Sequence, residues 1–403
     1  MKAVMYGGGN IGRGFIGTLF SASGFETVFV DVVDAVVNTL NQDHKYPVRI
    51  LSNEGHKDIE VTNVSAVDGK DGNAVADTIA SADILATAVG VNVLKFIVPN
   101  IAEGIRRRMA SNGGPLDIII CENLMDANKV IEGMLKALLN EEEQEWFDQN
   151  IGLVEASIGR MVPVQTEEMK DGNPMRVCVE GYGYLPVDKA AFKGKIPAIK
   201  NMVPFEPFDF YIKRKLYIHN MGHATCAYLG GLLDLEYIYE SIDHDDIFAV
   251  VKLAMEESAL ALSKRYGVPL ESIIQHIGDL LYRFTNAALK DTCKRVGGDP
   301  ARKLSPQDRL VGSSSLVLES GEIPAYIAIG AAAGLKRFAD EKGIEPTVEN
   351  AEQLLLEVSG LEKGSKLSEL IMGMYRMIAD GTTIGQLRRA ADKLKADSRN
   401  NVI

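Results

Sequence analysis

The chain has 403 residues, 46% of them hydrophobic and 24% charged, which describes an ordinary globular protein long enough for two domains. Its formal net charge of −12 argues against a general binder of nucleic acid or anionic membrane. No apolar run reaches the roughly 20 residues of a membrane span, the N-terminus has no signal-peptide anatomy, and Cys121, Cys178, Cys226 and Cys293 form no CxxC pair, which together fit a reducing cytoplasm.

In chain order, "KAVMYG" (2–7), "ETVFVD" (26–31), "ADILATAVG" (82–90), "DIIICEN" (117–123) and "GLVEAS" (152–157) read as buried strands with helical segments between most of them. Such alternation predicts a doubly wound parallel sheet. The stretch 175–192 reads as a hairpin or edge extension with glycine turns, and the prolines between 195 and 205 mark a boundary. We therefore place one domain at 1–198 and a second at 199–403. Beyond it the pattern is helical almost throughout, as in 245–267, which stops at Gly267, "AYIAIGAAAGLKRFADEKG" and "SELIMGMYRMIADG".

"YGGGNIGRGFIG" (6–17) follows the first strand and opens a helix, with Gly7, Gly9 and Gly12 in the GxGxxG spacing. The first glycine permits the tight turn, the second lets backbone approach a pyrophosphate, and the third lets helix and strand pack closely. The helix start offers free N–H groups to the phosphates, so Asn10 and Ile11 join the candidate cofactor-binding set. A second strand ends in Asp31, 19 residues beyond Gly12. A carboxylate there can bond an adenosine ribose and repel a 2′-phosphate, which favours NAD over NADP. Thr87, Ala88 and Val89, at the carboxyl edge of the sheet, are candidate neighbours of the cofactor.

"RKLYIHNMGH" (214–223) gathers Lys215, His219, Asn220 and His223 within nine residues. On an α-helix at about 100° per residue, with Lys215 at zero, His219 falls near 40°, His223 near 80° and Asn220 near 140°. The flank "MGHATCAYLGGLLDL" is apolar and small, so the polar group lies on a buried helix, where unsatisfied polar atoms are costly. A buried lysine beside a cation such as Arg214 has its pKa lowered and becomes a base near neutrality. Asparagine and histidine N–H groups can donate to an alkoxide or carbonyl oxygen. Beside a nicotinamide this is the equipment for alcohol–ketone interconversion. Zinc chelation by His219 and His223 is disfavoured, since the segment is not HExxH and no cysteine or carboxylate stands nearby in sequence. We expect no metal.

Lys215, Asn220 and His223 fit K-x4-N-x2-H. With "GGGNIGRGFIG", "CEN" (121–123), "AMEESALALSKRYG" and "KRVGGDPARKLSPQDRL" (294–310), the chain resembles the polyol-specific long-chain dehydrogenase/reductase family over most of its length. The resemblance implies a metal-independent, NAD-dependent enzyme with an N-terminal Rossmann domain and a mostly α-helical C-terminal domain. It implies that Lys215 is the general acid/base, that Asn220 and Asn123 polarise the reacting oxygen, and that His223 binds substrate hydroxyls. The implied partner is a small sugar phosphate or polyol, mannitol 1-phosphate and fructose 6-phosphate being the expected pair. A hexuronate reductase, another polyol dehydrogenase and a non-catalytic NAD(H)-sensing module are the alternatives. Two positions depart from the family pattern: Gly159 stands where an aspartate is usual and Gly298 where an arginine is common. Arg214, Arg295, Arg302 and Lys303 remain as cations for a phosphate. The sequence sets no oligomeric state.

Overall fold

The computed structural model describes residues 1–345 and 347–400, leaving aside the side chains of 399 and 400. It divides into two compact units, Met1–Asp209 and Phe210–Ile403, the last three residues lying outside the described part. The division falls eleven residues after the boundary that the prolines suggested. Residues 202–205 stay with the first unit because they form a strand paired to 185–188.

Eleven strands build the first unit: β1 (Lys2–Tyr6), β2 (Glu26–Asp31), β3 (Lys45–Ser52), β4 (Gly55–Thr62), β5 (Val64–Asp68), β6 (Ile84–Thr87), β7 (Leu116–Ile120), β8 (Ile151–Glu155), β9 (Val177–Glu180), β10 (Leu185–Asp188) and β11 (Met202–Phe205). Six of them form a sheet in the order β5-β2-β1-β6-β7-β8, parallel throughout. The order reverses beside β1, which is the switch point where open α/β sheets hold ligands. Successive side chains alternate between faces. Ala3 and Met5 join a core with Phe15, Phe20, Phe29 and Tyr46, while Val4 and Tyr6 join the opposite core with Ile97, Ile101 and Phe147. Burial on both faces is why the sheet strands read as apolar runs.

All five strands read from the sequence lie in this sheet. The sixth, β5, was not read, because "VSAVD" mixes small and polar residues and identifies itself only through its pairing with β2. The hairpin expected over 175–192 is not formed. β9 pairs with β3, and β10 pairs with β11, so the turn between them carries the chain from one small sheet to another.

The second unit is helical. Its central helix, Met221–Leu232, is buried along almost its whole length. The helix Ala325–Lys342 packs on it closely, since a Cβ on Gly330 would meet Thr225 Oγ1 at 2.3 Å. Helix Asp245–Tyr266 ends as expected at Gly267, whose φ of 68° suits glycine.

Buried Glu257, midway along that helix, accepts the backbone N–H groups of Ala325, Tyr326 and Ile327 at 2.9–3.3 Å. It therefore caps another helix from a distance, answering orphan amides and the positive helix end. Lys395 Nζ lies 3.3 Å from its carboxylate and holds the C-terminal helix Ile384–Asn400 in place. Burial nevertheless pushes Glu257 up to about 7. A carboxylate raised above its unfolded value holds extra proton in the native state, so its contribution to stability is present at low pH and is lost between about pH 4.5 and 7. Glu257→Gln should flatten this slope, worth about 3 kcal/mol at most, when urea unfolding is measured at intervals from pH 4.5 to 8. An unchanged slope would assign the pH dependence to other groups.

Candidate active site

The glycine turn uses its three glycines differently. Gly7 has φ +104°, and a Cβ there would lie 2.5 Å from Ala88 O. A Cβ on Gly12 would lie 1.8 Å from Gly7 O. Both are glycine because backbone passes where a side chain would be. A Cβ on Gly9 would meet no atom within 4 Å, so internal packing does not require glycine there. The clearance is directed outward, as a cradle for pyrophosphate demands. Asn10 is exposed beside Gly9 and Ile11 is half-buried. The next turn, Gly12–Ile16, is a π-helix, closed by Gly17 N–H donating to Gly12 O.

Two carboxylates fix the loops around this turn. Asp31 Oδ2 accepts Gly8 N–H at 2.7 Å and Oδ1 accepts Val33 N–H at 2.9 Å. Each oxygen keeps a second lone pair, so the half-buried acid can hold the turn and still meet a ribose. Glu122, which sequence reasoning passed over, accepts Val89 N–H at 3.0 Å and Gly90 N–H at 2.8 Å. It ties the loop after β6 to the loop after β7, where Asn123 is exposed. Only its place at a strand's carboxyl end could have signalled it. Thr87 is buried with an Oγ1 that has no partner among the described residues, and Ala88 and Val89 are half-buried. These groups fit a dinucleotide, for which Gly7, Gly9, Gly12 and Asp31 would supply turn, clearance and ribose acceptor. Buried Arg13 braces the turn from beneath, donating to Gly8 O and Met175 O at 2.6 Å each.

In the second unit, Lys215–Asn220 is again a π-helix, with Met221 N–H reaching back to Leu216 O. This corrects the arc drawn for an α-helix. Bonds closed over five residues place residue i+5 about one turn beyond residue i. Asn220 is thereby brought toward the line of Lys215, where α-geometry would have turned it well away.

Half-buried Lys215 has no ion pair or hydrogen bond to its ammonium among the described residues. Burial, with the charge of Arg309 added, lowers it to about 8. The cation responsible is therefore Arg309, not the adjacent Arg214, whose guanidinium lies 4.4 Å from the Tyr211 ring centre. Asn220 is half-buried, and its amide is likewise unbonded among the described residues. His223 stacks on Phe284 with centroids 4.8 Å apart. Its Nε2 is 3.2 Å from Asp291 Oδ2, yet the contact is off the hydrogen-bond direction and leaves that nitrogen without an aligned partner. Burial alone would raise Asp291, but His223 and Arg295 outweigh it and hold the acid below its usual value.

The expected phosphate cations separate into two kinds. Arg295 is paired with Asp291 at 2.8 Å, and Arg302 with Asp299 at 2.7 Å and Asp308 at 2.9 Å. Lys303 is buried with no partner to its ammonium among the described residues, and burial together with Arg309 and Arg302 lowers it to about 8. Arg309, itself bonded to Asp308, is thus the common neighbour of two unpaired lysines. At Gly159 a Cβ would lie 2.9 Å from Tyr182 Cε1, so the tyrosine ring stands against the position of the missing aspartate. At Gly298 the nearest atoms are backbone carbonyls of Arg295 and Lys294. Among the described residues no three His, Cys, Asp or Glu side chains are grouped to hold a metal ion.

Residues 1–201 match the mannitol dehydrogenase Rossmann domain, and residues 208–372 match the mannitol dehydrogenase C-terminal domain. Two solved structures share the fold over nearly the whole of both chains. One is a D-sorbitol dehydrogenase in substrate-free form, 16% identical over 96% of this chain and 95% of that one, with a TM-score of 0.80. The other is the mannitol 2-dehydrogenase of Pseudomonas fluorescens in ternary complex with NAD and D-mannitol, 16% identical over 98% and 94%, with a TM-score of 0.75.

Gly9→Val should weaken NADH binding, read by fluorescence, at least about tenfold, while the melting temperature stays within about 2 °C. Gly12→Val should fail on folding itself. Wild-type affinity in a folded Gly9→Val protein would remove the outward cradle from the site.

Proposed function

The chain belongs to the mannitol dehydrogenase family of NAD-dependent polyol dehydrogenases, and on that footing we propose that it interconverts mannitol 1-phosphate and fructose 6-phosphate with Lys215 as general acid/base. The observation that carries this reading is the unpaired, half-buried ammonium of Lys215, lowered to about 8 beside Arg309. A base that titrates near working pH is available in both protonation states.

When bound, NAD would supply the hydride acceptor, and NADH the donor in the reverse direction. Neutral Lys215 Nζ accepts the proton of the reacting hydroxyl, so negative charge does not accumulate on that oxygen. In reduction its ammonium returns the proton. Asn220, brought round by the π turn, donates an amide N–H to the same oxygen, a role that the family resemblance also implies for Asn123. His223, kept in orientation by Phe284 and Asp291, binds another substrate hydroxyl. Lys303 and Arg309 supply positive charge for the phosphate.

An unphosphorylated polyol is the second reading. It is favoured by the pairing of Arg295 and Arg302 with aspartates and by Gly298, where the resemblance leads one to expect arginine. NADH oxidation at 340 nm with fructose 6-phosphate, beside fructose and fructuronate, separates the readings. Activity confined to fructose 6-phosphate supports the first, and activity confined to either of the others moves the substrate while retaining the chemistry.

Lys215→Ala should lower kcat by at least about a thousandfold while NADH affinity stays near that of the wild type. Lost NADH affinity with normal turnover would refute the role. In the wild type, kcat/KM for polyol oxidation should rise with pH and level off above about 8, as Lys215 loses its proton. Ketose reduction should fall through the same range. A flat oxidation profile from pH 6 to 10 would exclude Lys215 as the base.

A further inference from the structure

His219 lies inside the Lys-Asn-His segment but is no part of its spacing. It is 6% exposed, and neither ring nitrogen has a hydrogen bond among the described residues. Its nitrogens do not figure among the sealed side-chain atoms that lack a partner. A packed core histidine would have its nitrogens satisfied, and a leucine here would avoid the roughly 1–3 kcal/mol that an unsatisfied buried polar group costs. The sequence retains the imidazole where packing alone disfavours it.

Its surroundings fix both its position and its charge. The ring centre is 6.0 Å from that of Phe284 and 6.1 Å from that of His223, so three rings share one wall. Lys215–Asn220 being a π turn, His219 lies just short of one turn from Lys215, and Asn220 completes it. Burial first, then the positive charge of Arg283, keeps a proton off the ring. Neutral imidazole presents one N–H donor and one acceptor nitrogen. That pair complements a hydroxyl, which also donates and accepts, and offers no charge to a phosphate or carboxylate.

We propose that His219 reads the substrate, hydrogen-bonding a hydroxyl of the polyol chain other than the one that reacts. The inference rests on the polyol reading above and adds a specificity-determining residue to it. It gives the segment two imidazoles for hydroxyls, beside one amine and one amide for the reacting oxygen.

The test uses the full-length enzyme with NADH, fructose 6-phosphate, fructose and a set of singly deoxygenated ketoses. His219→Leu should raise KM for the preferred ketose about three- to tenfold, the worth of one hydrogen bond, with a smaller change in kcat and unchanged NADH affinity. His219→Gln, which keeps a donor and an acceptor, should recover most of the loss. One deoxy ketose should be penalised in the wild type and not penalised further in His219→Leu. A wild-type KM in His219→Leu would overturn the proposal. So would a loss shared equally by every deoxy ketose, unrelieved by glutamine and matched by a lower melting temperature. A wild-type enzyme that turns over none of these ketoses would instead defeat the polyol reading beneath it.

Discussion

An ammonium group withdrawn from water with no carboxylate to answer it is the constraint around which the helical unit is arranged. Elsewhere in that unit buried or half-buried charges have partners. Glu257 has three helix amides and Lys395, Asp291 has His223 and Arg295, and Arg309 has Asp308. Lys215 and Lys303 have none among the described residues, and the charge of Arg309 acts on both. A charge held this way relieves its cost by giving up its proton. The same chain satisfies its buried charges in one region and leaves lysine, asparagine and imidazole groups open in another. That contrast is what the proposed site rests on.

Holding such a group requires a stiff frame, and the frame is built from close helix contacts. The helix Met221–Leu232, into which Asn220 leads, meets its neighbours closely at glycines: Gly330 and Gly334 lie against Thr225 and Tyr228, and its own Gly222 and Gly230 against Met255 and Ser241. Glu257 fastens two of those neighbours together by capping one from the middle of the other. Against this rigid body, the π turn at Lys215–Asn220 is a local change of pitch that re-aims a few side chains without moving the helix. The turn after the glycine loop, Gly12–Ile16, has the same form. In each unit the irregular turn coincides with the segment that chemistry had already singled out.

Local pattern made much of this legible. Two-sided burial writes apolar runs, so five of the six sheet strands could be read, and helix ends at Gly267 and Gly343 carry their own signal in the need for positive φ. The glycine turn was legible because Gly7 and Gly12 answer to steric contact and Gly9 to its absence. What escaped depends on distant partners. β5 is defined by β2, the segment 175–192 is divided between two sheets, and Glu122 matters through amides some thirty residues away. Arg309 stands 94 residues from Lys215 in the chain, so the adjacent Arg214 was credited with its effect. A π turn has no residue signature at all, which is why the angles drawn for an α-helix misplaced Asn220.

The unpaired lysines also bear on what a phosphate would do. On the proposed reading, a dianion drawn to Lys303 and Arg309 would bring to Lys215 the counter-charge that the protein withholds. An opposite charge nearby favours the ammonium form, so a phosphorylated ligand would raise the proton affinity of the lysine that serves as base. In oxidation this works against proton removal. In reduction it works with the step, because the ketose phosphate itself would keep the acid that must protonate its carbonyl oxygen charged. An unphosphorylated ketose would leave Lys215 near its ligand-free value and confer no such bias. On the proposed reading, the cations near Lys215 would therefore couple the charge of the substrate to the direction in which the lysine is better suited to act, and for a sugar phosphate that direction would be toward the polyol.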